Sequence, residues 1–142
     1  MAVIARRLLF AALALTIPAA ADQAHDVLQA INRVATALTD SDPAGAMAPF
    51  DKSYPSYAIL QKNFIGLTAA YQLTNEASVT DEQDSADDAT LTMQWTLNLT
   101  NKSTSTTLTR SAELHVRLHS ENGKWKIVEF SPTDLFDPAA KE

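Results

Sequence analysis

From about Ala89 to Phe130 the chain alternates between apolar and polar side chains. Leu91, Met93, Trp95, Leu97 and Leu99 take every second position, with Thr90, Thr92, Gln94, Thr96 and Asn98 between them. In a strand, residues i, i+2 and i+4 share a face, so this run gives a sheet one apolar and one polar face. Leu108, Ala112, Leu114, Val116 and Leu118 repeat the pattern against Thr109, Ser111, Glu113, His115, Arg117 and His119, and Trp125 to Phe130 is a third, shorter run. Tyr71 to Thr80, through Leu73, Ala77 and Val79, predicts a less regular strand ahead of them. The turns are equally legible. Asn122-Gly123 is a strong hairpin signal, and Lys102 to Thr107 is a polar Ser/Thr turn. Asp81 to Asp88 holds five acids in eight residues and predicts a solvated hairpin loop, without the central Gly and terminal Glu of an EF-hand calcium loop.

Upstream the period changes to that of a helix. Val27, Ile31, Val34 and Leu38 fall at i, i+4, i+7 and i+11 and predict an amphipathic helix from Asp22, its N-cap, to Thr39. Asp42-Pro43 then reads as a cap followed by Pro at the first helical position, opening a short helix to Met47 or Ala48. In a third helix, capped by Ser53 with Pro55 in its first turn, Tyr57, Leu60, Phe64 and Leu67 form one face, which Ile59 and Ile65 broaden. After the last strand, Leu135 and Phe136 are expected to tuck back onto the core, and Asp137 to Glu142 to fray.

The first 21 residues read differently. Arg6 and Arg7, an apolar stretch from Leu8 to Ile17 and the small residues Ala19 to Ala21 describe a secretory signal peptide, cleaved after Ala21. The apolar stretch is shorter than the ~20 residues that span a bilayer, so no stable membrane insertion is expected after cleavage. General secretion is preferred over twin-arginine export. The mature chain, 22–142, is one domain, exported to the periplasm or beyond. It keeps nine Lys and Arg against 17 Asp and Glu, a net charge near −8, which disfavours nucleic acid as a partner. Cysteine is absent, which excludes disulfides and thiolate chemistry. His115 and His119, four apart on one strand face, lie ~13 Å from each other, too far to share an ion. No metal and no cofactor is expected. Asn98-Leu-Thr100 and Asn101-Lys-Ser103 match the N-glycosylation acceptor, a triplet common in any Thr-rich stretch.

Helices followed by an antiparallel meander are an α+β order, and the helices must cover the apolar face of the sheet. Asp42-Pro43-Ala44-Gly45, Phe50-Asp51-Lys52-Ser53-Tyr54-Pro55, Trp95, and Lys124-Trp125-Lys126-Ile127-Val128 running into Ser131-Pro132 and Asp134-Leu135-Phe136 carry a resemblance to a known family. The mature chain resembles the nuclear transport factor 2-like, or SnoaL-like, superfamily. The resemblance implies N-terminal helices packed on a curved four-stranded antiparallel sheet, a cone-shaped cavity and, in many members, a homodimer through the sheet. Members include ketosteroid isomerases, dehydratases and non-catalytic binding domains, so fold alone does not name an activity.

Trp95, Met93, Phe64 and Leu114 are the candidates to line such a cavity around a small apolar or anionic ligand, although large apolar residues at these positions are first of all core. Arg110 shares the apolar parity of its strand. It either holds an anion, or snorkels to the rim or pairs with an acid such as Asp51, and the latter is preferred. Asp51 with Tyr54 and Tyr57 is the acid–base candidate set: an Asp with a raised pKa in an apolar cone could move a proton beside a Tyr hydroxyl. The preferred reading is a non-catalytic module that binds a small ligand or a protein; the alternative is an isomerase or dehydratase working through Asp51 and a Tyr.

Overall fold

The computed structural model describes residues 23–139; the signal-peptide segment, the Asp22 cap and the last three residues lie outside them. Three helices precede the sheet: α1 over residues 23–39, α2 Pro43–Met47 and α3 Tyr57–Ala70. The predicted stripe of α1, Val27, Ile31, Val34 and Leu38, is fully buried. At α2 the Asp42 carboxylate accepts the Gly45 N–H at 3.0 Å and Pro43 takes the first turn, as the sequence predicts.

α3 starts later than expected. The Asp51 carboxylate accepts the Ser53 N–H at 2.8 Å, an Asx turn that occupies Ser53, and a second turn joins the Tyr57 N–H to the Tyr54 carbonyl. Pro55 disfavours helical backbone at Tyr54, so the helix begins after Ser56. Its buried stripe is narrower than predicted. At about 100° per residue, Ile59 and Ile65 fall to either side of Leu60, Phe64 and Leu67, and they are 57% and 53% exposed. At the far end, Lys102 donates its N–H to the Ala70 carbonyl and its Nζ to the Thr68 carbonyl, a cation at the negative pole of the helix.

Four antiparallel strands follow in spatial order 1-2-3-4: β1 Tyr71–Asp84, β2 Asp88–Asn101, β3 Thr107–Glu121 and β4 Lys124–Ser131. The sheet is curved and unclosed. Its bulges, between Val79 and Asp81 and between Arg117 and Leu118, sharpen the local twist. The Asn122-Gly123 hairpin forms with both residues at positive φ, 54° and 77°, the backbone that a two-residue turn matched to strand twist requires. The acidic stretch is not a loop: β1 runs on to Asp84 and only residues 85–87 turn. Cross-strand pairing continues through these carboxylates as far as Asp84, and a side-chain hydrogen bond with Asp84 raises the Glu82 pKa to about 7.

On β2 the alternation predicted from sequence is complete, with Leu91, Met93, Trp95, Leu97 and Leu99 all buried. Beyond β4, the 3-10 turn Asp134–Phe136 folds back and buries Leu135 and Phe136. A part-buried polar link runs from the sheet to α1. The Trp95 indole N–H donates to Asn75 Oδ1 at 3.0 Å, and the Asn75 amide donates to the Thr39 hydroxyl at 3.1 Å on α1. Asn75→Leu strips the Trp95 indole of its acceptor and is expected to cost about 1–3 kcal/mol. In a urea-denaturation cycle with Trp95→Phe, the two losses should overlap by about 1 kcal/mol; strict additivity would show that the bond contributes nothing.

Candidate functional site

The interior of the cone is packed. Phe64, Met93, Trp95 and Leu114, the predicted ligand-lining residues, are each no more than 1% exposed. The space between helices and sheet is taken by rings: Trp95 lies edge-on to Phe130 and Phe136 at 5.8 and 5.6 Å, and Phe64 meets Phe136 at 5.3 Å. Phe50 closes the other side at 5.2 Å from Phe130. Phe50 arrives there because Pro49–Asp51 forms a parallel bridge with β4, in which the Ile127 N–H donates to the Pro49 carbonyl and the Asp51 N–H to the Ile127 carbonyl. Edge-to-face rings add attraction beyond the area they bury.

Arg110 does point inward, at 9% exposure, opposite Leu97 on β2. It does not reach Asp51. Asp51 sits beside Ile127, which pairs with Leu118, and Leu118 is eight residues along β3 from Arg110, ~26 Å in an extended strand. The guanidinium instead donates from one terminal nitrogen to the carbonyls of Leu135 and Asp137, at 3.2 and 2.8 Å. It thereby fastens the segment that carries Phe136 into the rings. The signal for this was present in the sequence, an arginine of apolar parity, but its partners are main-chain carbonyls and have no side-chain signature.

Asp51 and Tyr54, three residues apart, take separate partners. The Asp51 carboxylate is held by the Ser53 N–H, which lowers its pKa, with Lys126 and His119 acting in the same direction. The raised pKa expected of a proton-shuttling Asp is therefore replaced by a lowered one. The Tyr54 hydroxyl is buried and donates to the Phe130 carbonyl, and burial raises its pKa. Tyr57 is half-buried against the core. A groove of about 480 Å³ passes Tyr54, Arg117, Glu129 and Pro132 on the surface side of these rings.

The outer face of the sheet is polar and ordered. Thr96 and Ser111 share a hydrogen bond at 2.6 Å, Thr100 and Thr107 at 3.0 Å, and Thr109 donates to Asn98 at 2.7 Å. Both glycosylation triplets have structural uses: Asn101 Oδ1 accepts the N–H groups of Ser103 and Thr104 in the β2–β3 turn. The two histidines have separate partners, His115 with Glu113 at 3.5 Å and His119 with Asp88 at 3.0 Å. Among the described residues no three His, Asp or Glu side chains gather as a metal site. No helix there is long and apolar enough to cross a membrane.

Arg110→Met should cost about 2–3 kcal/mol, since charged hydrogen bonds to two carbonyls are lost, and should raise hydrogen exchange selectively at residues 133–139. Unchanged exchange in that segment would refute the fastening role. The hydrogen bond that His119 donates to the Asp88 carboxylate raises the His119 pKa. Stability from that pair is thus complete below the unfolded histidine pKa of about 6.5 and lost as pH rises through the folded value. The urea midpoint of the wild type relative to His119→Gln should shrink between pH 6 and pH 9; a constant difference would contradict the coupling.

Residues 29–134 match the family described as "Anti-sigma-I factor RsgI9, C-terminal domain". No curated protein matches the chain in sequence. Among solved structures, a Mycobacterium tuberculosis protein of unknown function aligns at a TM-score of 0.67 and 13% identity over 80% of this chain and 72% of that one. A protein from Novosphingobium aromaticivorans named as a candidate scytalone dehydratase gives 0.67 and 11%, over 76% and 80%. A ketosteroid isomerase-like protein from Erwinia carotovora atroseptica gives 0.59 and 18%, over 73% and 93%. At these identities the likeness is one of fold. Helices on a curved sheet of this order are the nuclear transport factor 2-like, cystatin-like fold, and on that fold the chain belongs to the family of the anti-sigma-I factor RsgI9 C-terminal domain.

Proposed function

We propose that the chain is an exported binding module with no catalytic step of its own, taking a small ligand or a protein at its surface. The observation that carries this reading is the filled cone: the volume in which a substrate would sit is occupied by Phe50, Phe64, Trp95, Phe130 and Phe136, all buried. The lowered pKa of Asp51 and the commitment of the Tyr54 hydroxyl to a carbonyl support it as well. The family is named after an anti-sigma-I factor, a regulator. Export rests on the basic, apolar and small-residue order of the first 21 residues. The ordered, polar outer face of β2 and β3 suits contact with a second copy of the chain.

Native mass spectrometry of the protein purified from its host's exported fraction tests this. The mature mass should begin at Asp22, and any bound species or dimer should persist in Asp51→Asn. Tyr54→Phe should lose about 1 kcal/mol of stability and retain the same species. A species converted to a new mass by the wild type but not by Asp51→Asn would restore the isomerase or dehydratase alternative.

A further inference from the structure

We infer that the groove between α1 and the β3–β4 turn binds a small aromatic carboxylate; this rests on the reading of the chain as a binding module and names its ligand class. The groove has a volume of about 450 Å³, within the range of small-molecule sites. Asp26 and Arg33 of α1 form one wall, Lys124 to Lys126 of β4 the other, and Pro49 lies between them.

Three features fix the chemistry. Charge comes first. Three of the chain's 11 Lys and Arg, namely Arg33, Lys124 and Lys126, line this one groove beside a single acid, Asp26, in a protein of net charge −6. Lys126 is fixed in place by donating to the Ala48 carbonyl at 2.9 Å. Arg33 and Lys124 form no ion pair among the described residues, where the four ion pairs are made by His115, Arg117 and His119. The second feature is Trp125. The other tryptophan, Trp95, is sealed in the core, but Trp125 packs against the core and remains partly exposed at the groove. Its indole offers a flat apolar surface on which a ring stacks. The third is Asp26 itself. A guanidinium fork pairs with a planar carboxylate, and Asp26, on the same helix as Arg33, opposes a doubly charged phosphate monoester more than a singly charged carboxylate. One negative charge on a flat ring satisfies all three.

Three probes with the same ring and different charge test the assignment: indole-3-acetate, indole and tryptamine, titrated into the mature protein and followed by 1H–15N NMR. Indole-3-acetate should shift the Trp125 indole N–H and leave that of Trp95 unmoved. Indole should bind about tenfold or more weakly, and tryptamine more weakly still. Arg33→Gln and Lys124→Gln, both at exposed side chains, should each weaken indole-3-acetate at least about tenfold, while Lys62→Gln on α3 should not. Tryptamine binding as tightly as indole-3-acetate, charge variants that bind like the wild type, shifts confined to the outer sheet face, or no shift at ~10 mM probe would each overturn the proposal. None of those results touches the binding-module reading, which is decided separately by the Asp51→Asn measurement.

Discussion

A helix rises about 1.5 Å per residue and a strand about 3.3 Å, and that mismatch shapes this molecule. α1 is tied to the sheet near both ends: Gln23 donates to the Ser85 carbonyl and Gln72 donates to the Thr39 carbonyl. Along α1, Gln23 and Thr39 are ~24 Å apart. Along a straight strand, Gln72 and Ser85 would be ~43 Å apart. Two side chains of a few ångströms each do not close that difference, so β1 must bend, and its bulge at Val79/Asp81 is where the pairing slips. The curvature of the sheet is thus a consequence of covering long strands with a shorter helix. It also brings the two ends of the apolar face toward each other, which turns a sheet into a cone.

A cone needs a stopper, and here the chain supplies one from its own C-terminal segment. Phe136 enters between Phe64, Trp95 and Phe130, and Arg110 reaches from β3 to hold the carbonyls of the residues on either side of it. A buried guanidinium is tolerated because its hydrogen bonds go to groups that would otherwise be left without water. The same arrangement commits one terminal nitrogen of Arg110 to the main chain of that segment. Filling the interior leaves accessible polar groups only at the rim and on the outer sheet face, where their placement is not dictated by the need to bury an apolar face.

Much of this was legible from the residue pattern. The alternation on β2, the α1 stripe, the Asp42-Pro43 start and the Asn122-Gly123 hairpin are all decided by local rules, and local rules are what a single sequence records. The departures occurred where strand pairing, a nearer hydrogen-bond partner or the exact helical step overruled the residue pattern. The acids after Val79 looked like a loop because five carboxylates repel, and pairing of Asp81 to Asp84 with Thr92 to Ala89 on β2 extended the strand through them. Ser53 looked like a cap, but the carboxylate two residues before it bound its N–H first. Ile59 and Ile65 looked like core because hydrophobicity was counted without the 100° step that separates neighbours. The candidate site was less legible still. Asn75, which anchors Trp95, is one unremarkable polar residue in a strand, and the groove cations come from two segments some ninety residues apart, Arg33 and Lys124.

The cations show how folding and function divide a limited set of charges. Lys102 caps the end of α3, Lys126 holds the Ala48 carbonyl, Arg110 fastens the stopper, and Arg117 bridges Asp88 and Glu129 across the sheet. Each is accounted for by main-chain carbonyls or carboxylates that the fold itself brings near. Arg33 and Lys124 face each other across a groove without such a partner among the described residues, although the acidic surface offers carboxylates in excess. A groove that gathers Arg33, Lys124 and Lys126 beside a half-open indole, with Asp26 as its single acid, is more positive than the acidic chain around it.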